Sequence, residues 1–244
     1  MPCKNCGEPQ TIKAHLIPKV FCKQIQEGKS HAAQVTETGN YRISQSGIWD
    51  CSILCSECDN NLGELENYAH SVFSKIRENG SDLPWKLKEV IGVNNKKILR
   101  FCSAILYKFS LTDDFKGKID LKGYQETCRR IAFGECKIPN YFNAFFWRAI
   151  RFPNDKGQFV YRAPLPDQLD GIDLYRMMLG GMLIFVKIDK RKLPVPELDK
   201  IMIRGKKSFV YRIVPAQGLE EFKVPNKIID ENKSLSSYLD GLKE

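Results

Sequence analysis

Apolar residues recur at spacings of three and four between residues 60 and 77. Leu62, Leu65, Ala69, Val72, Phe73 and Ile76 share one face, which predicts an amphipathic helix from Asn60 to Arg77. A shorter helical stretch, "KVFCKQIQ", lies between Pro18 and Gly28, residues suited to a helix start and a helix end. "KKILRFCSAILYKFSL" (96–111) has helical periodicity and enough apolar residues to be largely buried, and "LKGYQETCRRIAFG" (121–134) reads as a more exposed helix. The texture then changes to β-rich runs separated by turn residues: "FNAFFWRAIRF", "GQFVYRAP", "DLYRMML", "MLIFVKID" and "SFVYRIV". Gly180 and Gly181 suit a tight hairpin between two of them. "AAQVTETGNYRIS" (32–44) reads as a hairpin or an excursion loop.

Together these elements predict an α+β protein: a small N-terminal part, then a body with two helices against an antiparallel sheet. The polar turn "ENGSDLPW" (78–85) or "GVNN" (92–95) is the expected linker, which divides the chain into residues 1–92 and 93–244. No internal repeat or low-complexity segment is present.

Composition adds limits. A chain of 244 residues, 43% hydrophobic, can bury a substantial core. Its most apolar run, "GGMLIFV" (180–186), is far short of the ~20 residues that span a bilayer, and no basic-then-apolar leader opens the chain, so a cytoplasmic protein is expected. Nine cysteines, an odd number, point in a reducing compartment to metal rather than to a disulfide framework. The first 94 residues hold 10 basic and 11 acidic side chains, whereas the other 150 hold 28 and 18. A basic body of this kind favours a polyanionic partner, for which DNA is the expectation; a solvated lysine-rich surface is the plainer alternative.

The cysteine spacing carries the strongest chemical signal. Cys3-x-x-Cys6 and Cys55-x-x-Cys58 are matched knuckles, each able to give two thiolates to one tetrahedral Zn2+. Four thiolates leave no open position for substrate, so this zinc is expected to be structural. Cys22, Cys51, Cys102, Cys128 and Cys136 share no ligand spacing and read as small core residues. Between the knuckles, His15 follows Cys6 by nine positions in "AHLIPK", Asp50 precedes Cys55 by five, and Asp59 directly follows Cys58.

The order Cys-x-x-Cys, His-Leu-Ile-Pro, Asp-x-x-x-x-Cys-x-x-Cys-Asp resembles the zinc-knuckle form of the HNH, or ββα-metal, endonuclease family, over residues 3 to about 70. The resemblance implies an HNH-like N-terminal domain and hydrolysis of DNA phosphodiester bonds. It implies that His15 is the general base, that Asp59 is a ligand of a catalytic Mg2+ or other divalent ion, and that Asp50 stands where the family has an Asn supporting the histidine. Many family members carry Asp or His just before the base, as a second metal ligand, where this chain has Ala14. Glu66, seven positions beyond Asp59, lies about 10 Å further along the helix at ~1.5 Å per residue, too far to share an ion. Glu64 points elsewhere; Asn60 is nearer and is a candidate additional ligand. A residue from the 30s or 40s loop, or phosphate and water, would otherwise complete the site.

In the basic body, Lys187, Lys190, Arg191, Lys192, Arg204, Lys206 and Lys207 gather near strand ends and could track a phosphate backbone, or be solvated turns. Tyr141, Phe142, Phe145, Phe146 and Trp147 read as core rather than as a base-stacking platform. His70 reads as a surface or interface residue, and His31 has no evident partner. Three functions remain: an HNH-type endonuclease; a catalytically degenerate zinc protein that binds nucleic acid or acts as an adaptor; and an interaction protein without a nucleic-acid role. By analogy, small nucleases of this build serve in antiviral defence or mobile elements, beside a partner such as an ATPase or sensor subunit.

Overall fold

The computed structural model of the chain describes residues 1–26, 32–35, 41–44, 47–78, 84–150, 161–193, 195–234 and 237. The N-terminal part contains β1 (Ala14–His15), α1 (Lys19–Gln26), β2 (Ala32–Val35), β3 (Tyr41–Ser44), β4 (Trp49–Asp50) and the long α2 (Ser56–Glu78). β5 (Leu87–Ile91), α3 (Asn95–Leu111) and α4 (Gln125–Phe133) follow. Next come β6 (Asn143–Ile150), β7 (Arg162–Leu169), β8 (Ile172–Leu179), β9 (Met182–Lys187), the short α5 (Pro196–Asp199), β10 (Ser208–Pro215) and α6 (Glu220–Glu231). Among the described residues, no helix is long and apolar enough to cross a membrane. The protein is α+β, as its patterning predicts.

β1 and β4 form a two-stranded antiparallel sheet, and β2 and β3 form another, in line with the predicted hairpin at 32–44. The main sheet has six strands in the order β5-β10-β6-β9-β8-β7. Here the expectation of a purely antiparallel sheet is corrected: β10 runs parallel to the central β6, pairing Arg212 with Trp147 and Pro215 with Ile150. The chain leaves β9 on one side of β6 and returns through α5 to the other side, so the last strand enters in the direction of β6. The predicted glycine hairpin joins Leu179 to Met182, with Gly180 at φ 57° and Gly181 at φ 77°. β7, which carries Pro164 and Pro166, sits at the outer edge, where a missing N–H disrupts no inner ladder.

α2, α3 and α4 cover one face of this sheet. Leu16 and Phe21 pack in the same apolar cluster as Phe73, Phe101, Phe146 and Phe209. Phe73 lies 6.1 Å from Phe101 and 6.0 Å from Phe146, centroid to centroid. The expected boundary at 92/93 therefore coincides with no break in the core, and β5, on its N-terminal side, pairs with β10. The "GVNN" segment is a helix start: Asn94 Oδ1 accepts from the Lys97 N–H, and the buried Asn95 amide donates to the carbonyls of Ile203, Lys206 and Ser208. Of the alternative linker "ENGSDLPW", residues 79–83 lie outside the described residues. Arg77, near the end of α2, donates to the Gly180 carbonyl at 2.5 Å and so ties the helix to the β8–β9 turn. On the other sheet face Phe145 and Phe185 stack at 4.5 Å beside Met178, Ile201 and Phe222. The aromatic run at 141–147 is thus mostly core: Phe142, Phe145 and Phe146 are buried, and Trp147 packs at its edge.

Candidate functional site

The four knuckle cysteines converge. Their sulfur atoms all lie within 4.8 Å of one another, and Cys6 Sγ is 3.7 Å from Cys55 Sγ. Tetrahedral zinc–thiolate bonds of about 2.3 Å require sulfurs about 3.8 Å apart, so the donor set fits Zn2+. Two local structures produce it. In the first knuckle Gly7, at φ 81°, lets its N–H return to the Cys3 carbonyl at 2.9 Å. The second is the opening of α2: Cys55 precedes the helix, Cys58 lies in its first turn, and the Asp59 N–H donates to the Cys55 carbonyl at 3.0 Å. Burial opposes ionisation of Cys3, but backbone hydrogen bonds from Cys6, Asn5 and Cys55 prevail and lower its pKa to about 7, whereas burial pushes the Cys58 thiol up. Asn5 donates to Cys58 Sγ at 3.1 Å and accepts from Arg129 of α4 at 3.1 Å, so the body of the protein holds the centre from outside.

His15 lies on the two-residue ladder. Ala14 pairs with Asp50 and His15 with Trp49. Ala14 and Asp50 are buried on the inner face, whereas His15 is half-buried and Trp49 is 40% exposed. Lys13 Nζ stands 4.2 Å from the Trp49 ring centroid. His15 Nε2 is screened from solvent. Asp50, 1% exposed, has both oxygens engaged: it accepts from the Ser52 N–H and hydroxyl at 2.8 and 2.7 Å, from the Thr112 hydroxyl at 2.5 Å, and from Lys116 at 2.9 Å. Burial would raise its pKa, yet these donors hold the carboxyl well below the usual range. The Asp50 carboxylate thus ties β4 to the segment after α3, and acceptance alone suffices because every partner there is a donor.

Asp59, in the first turn of α2, is partly buried, and burial raises its pKa; the charge of Lys108 opposes this and that of Glu66 adds to it. The Glu66 carboxylate is itself committed to a different partner. Lys108 of α3, fully buried, donates to Glu66 Oε1 at 2.5 Å and to the His15 carbonyl at 2.5 Å. An ammonium without water costs several kcal/mol unless paired, and Glu66 is the pairing charge. The exposed Asn60 donates to Ser56 Oγ at 3.4 Å. Among the described residues, no second group of three or more His, Cys, Asp or Glu side chains gathers as the cysteines do. Asp59 therefore stands as a single carboxylate, without a second acidic or histidine ligand gathered beside it among the described residues. His31 and most of the 27–46 excursion lie outside the described residues.

The basic set divides. Lys187 is buried, which lowers its pKa, and it donates to the Asp189 and Tyr141 carbonyls. Arg191 pairs with Asp189, Arg204 holds Asn140 at 2.6 Å and the Ile138 carbonyl, and Lys206 donates to the Lys200 carbonyl. Lys190, Lys192 and Lys207 are exposed, with Lys190 Nζ 5.9 Å from the Tyr141 ring centroid. His70 is half-buried: its Nε2 lies 2.6 Å from the Gln24 amide and its ring 5.5 Å from Phe21. Asn5, Thr112, Lys116 and Arg129 escape the sequence reading because their roles depend on distant partners, and Glu66 enters it only as a rejected metal ligand. Lys108 left one signal, an ammonium on the helix face of Phe101 and Ile105. No protein-family model, curated protein or solved structure matches this chain.

Proposed function

We propose that this chain is a metal-dependent, HNH-type endonuclease acting on DNA, with His15 as general base and Asp59 as protein ligand of Mg2+ or a similar ion. One juxtaposition supports it: the second knuckle opens the helix bearing Asp59, and the Ile12 N–H to Leu54 carbonyl bond joins the segment before that knuckle to the segment leading into the two-stranded ladder bearing His15. In this reading His15 takes a proton from the attacking water, and imidazole suits that task near neutral pH. When bound at Asp59, the ion supplies positive charge against the phosphate and the departing oxygen. Asp50 keeps the β4 end of the ladder in register, and Trp49 with Lys13 forms the solvent-facing margin beside His15. Exposed Lys190, Lys192 and Lys207 are the candidates for phosphate contact.

Plasmid nicking in Mg2+ or Mn2+ tests the assignment. Replacing a general base removes a factor of about 10²–10⁴, so His15→Ala is expected to lose cleavage to that degree while keeping its zinc and its fold. Equal nicking by the variant, or none by the zinc-loaded wild type, would defeat the nuclease reading. A second reading, a zinc protein that binds nucleic acid without cutting, is favoured by the single carboxylate at the ion site and by buried Ala14, which faces away from His15. It leaves salt-dependent DNA binding intact in the absence of nicking.

A further inference from the structure

His15 occupies a particular place in its ladder. The Leu16 N–H donates to the Ile48 carbonyl at 2.9 Å, one step beyond the His15–Trp49 pair. In an antiparallel ladder this makes His15 and Trp49 a non-hydrogen-bonded pair, whose own N–H and C=O groups point away from each other's strand. Among the described residues this sheet has two strands, and no third strand meets the outward carbonyl of His15. Lys108 Nζ meets it instead, reaching from α3 across 93 positions of sequence. A two-residue strand has few ladder bonds to hold it, and a charge-assisted hydrogen bond is shorter and stronger than a neutral one.

We propose that Lys108 is a positioning residue for His15: its buried ammonium, held in place by Glu66, fixes the His15 carbonyl and with it the direction in which the imidazole leaves the strand. This rests on the reading of His15 as general base. The arrangement is specific to a lysine. The same face of α3 is otherwise apolar, with Ile98, Phe101 and Ile105, so a Met or Leu would pack there without needing a counter-charge. A lysine instead requires Glu66 from α2 and joins three elements, β1, α2 and α3, at one nitrogen.

The test uses the full-length, zinc-loaded chain labelled with 15N-histidine, as wild type, Glu66→Gln, and Lys108→Met combined with Glu66→Gln. Lys108→Met alone would strand a buried carboxylate, whereas the double variant replaces the ion pair with neutral side chains of similar size, a change often tolerated. The double variant is expected to melt within a few degrees of wild type and to leave the His70 ring signals in place. Its His15 ring signals move, and kcat for nicking falls at least tenfold with KM changed less than twofold. Wild-type His15 signals in the double variant would overturn the proposal. So would failure of that variant to fold, which would make Lys108 a determinant of the fold instead. Glu66→Gln leaves the buried ammonium without its counter-charge, so this single variant is expected to melt well below both wild type and the double variant; a melting temperature equal to wild type would show that Glu66 does not hold Lys108 and would overturn the proposal. Should the wild type not nick DNA, the nuclease reading fails separately, and the His15 signals still decide the role of Lys108.

Discussion

Single side chains in this protein owe their state to what surrounds them, and His70 provides a measurable case. Burial lowers its pKa from the ordinary 6.5 and Arg77 adds to the shift, while the Gln24 amide meets the neutral ring. As pH falls below about 6.5, the unfolded chain takes up a proton that the folded ring resists, so stability is lost on the acid side and unaffected well above it. Urea midpoints measured at pH 7.5, 6.5 and 5.5 should therefore decline more for wild type than for His70→Gln, and equal declines would refute the assignment. Neither His70 nor Asp50 yields its environment to sequence inspection. The first resembles a surface residue on an amphipathic helix, and the second owes its ionisation to Thr112 and Lys116, more than sixty positions away.

Elements form where pattern and turn chemistry agree. α2 extends the predicted helix by four residues at its start, because the second knuckle is part of its first turn. The β8–β9 hairpin follows from Gly180 and Gly181, and a second constraint on Gly180 is invisible in sequence: a Cβ there would stand 2.8 Å from Phe21 Cε1. Gly180→Ala combines a left-handed backbone with overpacking against a buried ring, and should lower stability by about 1–3 kcal/mol in chemical denaturation. An unchanged midpoint would mean that α1 shifts freely, contrary to its packing on Phe73 and Phe101. β5 and α6 leave little trace in the sequence: five residues alternating at a sheet edge give a weak period, and Pro225 inside "EEFKVPNKIIDE" argues against the helix it occupies.

Across the whole molecule, the four-cysteine cluster and the body are expected to fold as one unit. Cys3, Cys55 and Cys58 belong to the same buried cluster as Phe101 and Phe146, and Asn5, Arg129, Tyr107 and Lys4 link the knuckles to α3 and α4. Metal binding to such a site is folding free energy. Removing zinc with a strong chelator should therefore lower the melting temperature of the entire chain in a single transition, with zinc released at one ion per chain. Loss of an N-terminal transition alone, with the rest melting unchanged, would show that the two parts fold independently.

Ligand spacing, helix and strand periods and glycine turns are local properties, so the four-thiolate set, the α+β class, the main helices and the β8–β9 hairpin were all readable along the chain. What tertiary structure decided is which distant groups complete them: the direction of the last strand, the continuity of the core across residue 92, and the meeting of Lys108 with Glu66 and the His15 carbonyl. These contacts span 42 and 93 positions and arise only when helices pack on a sheet, because burial, not sequence proximity, determines which charges must find one another.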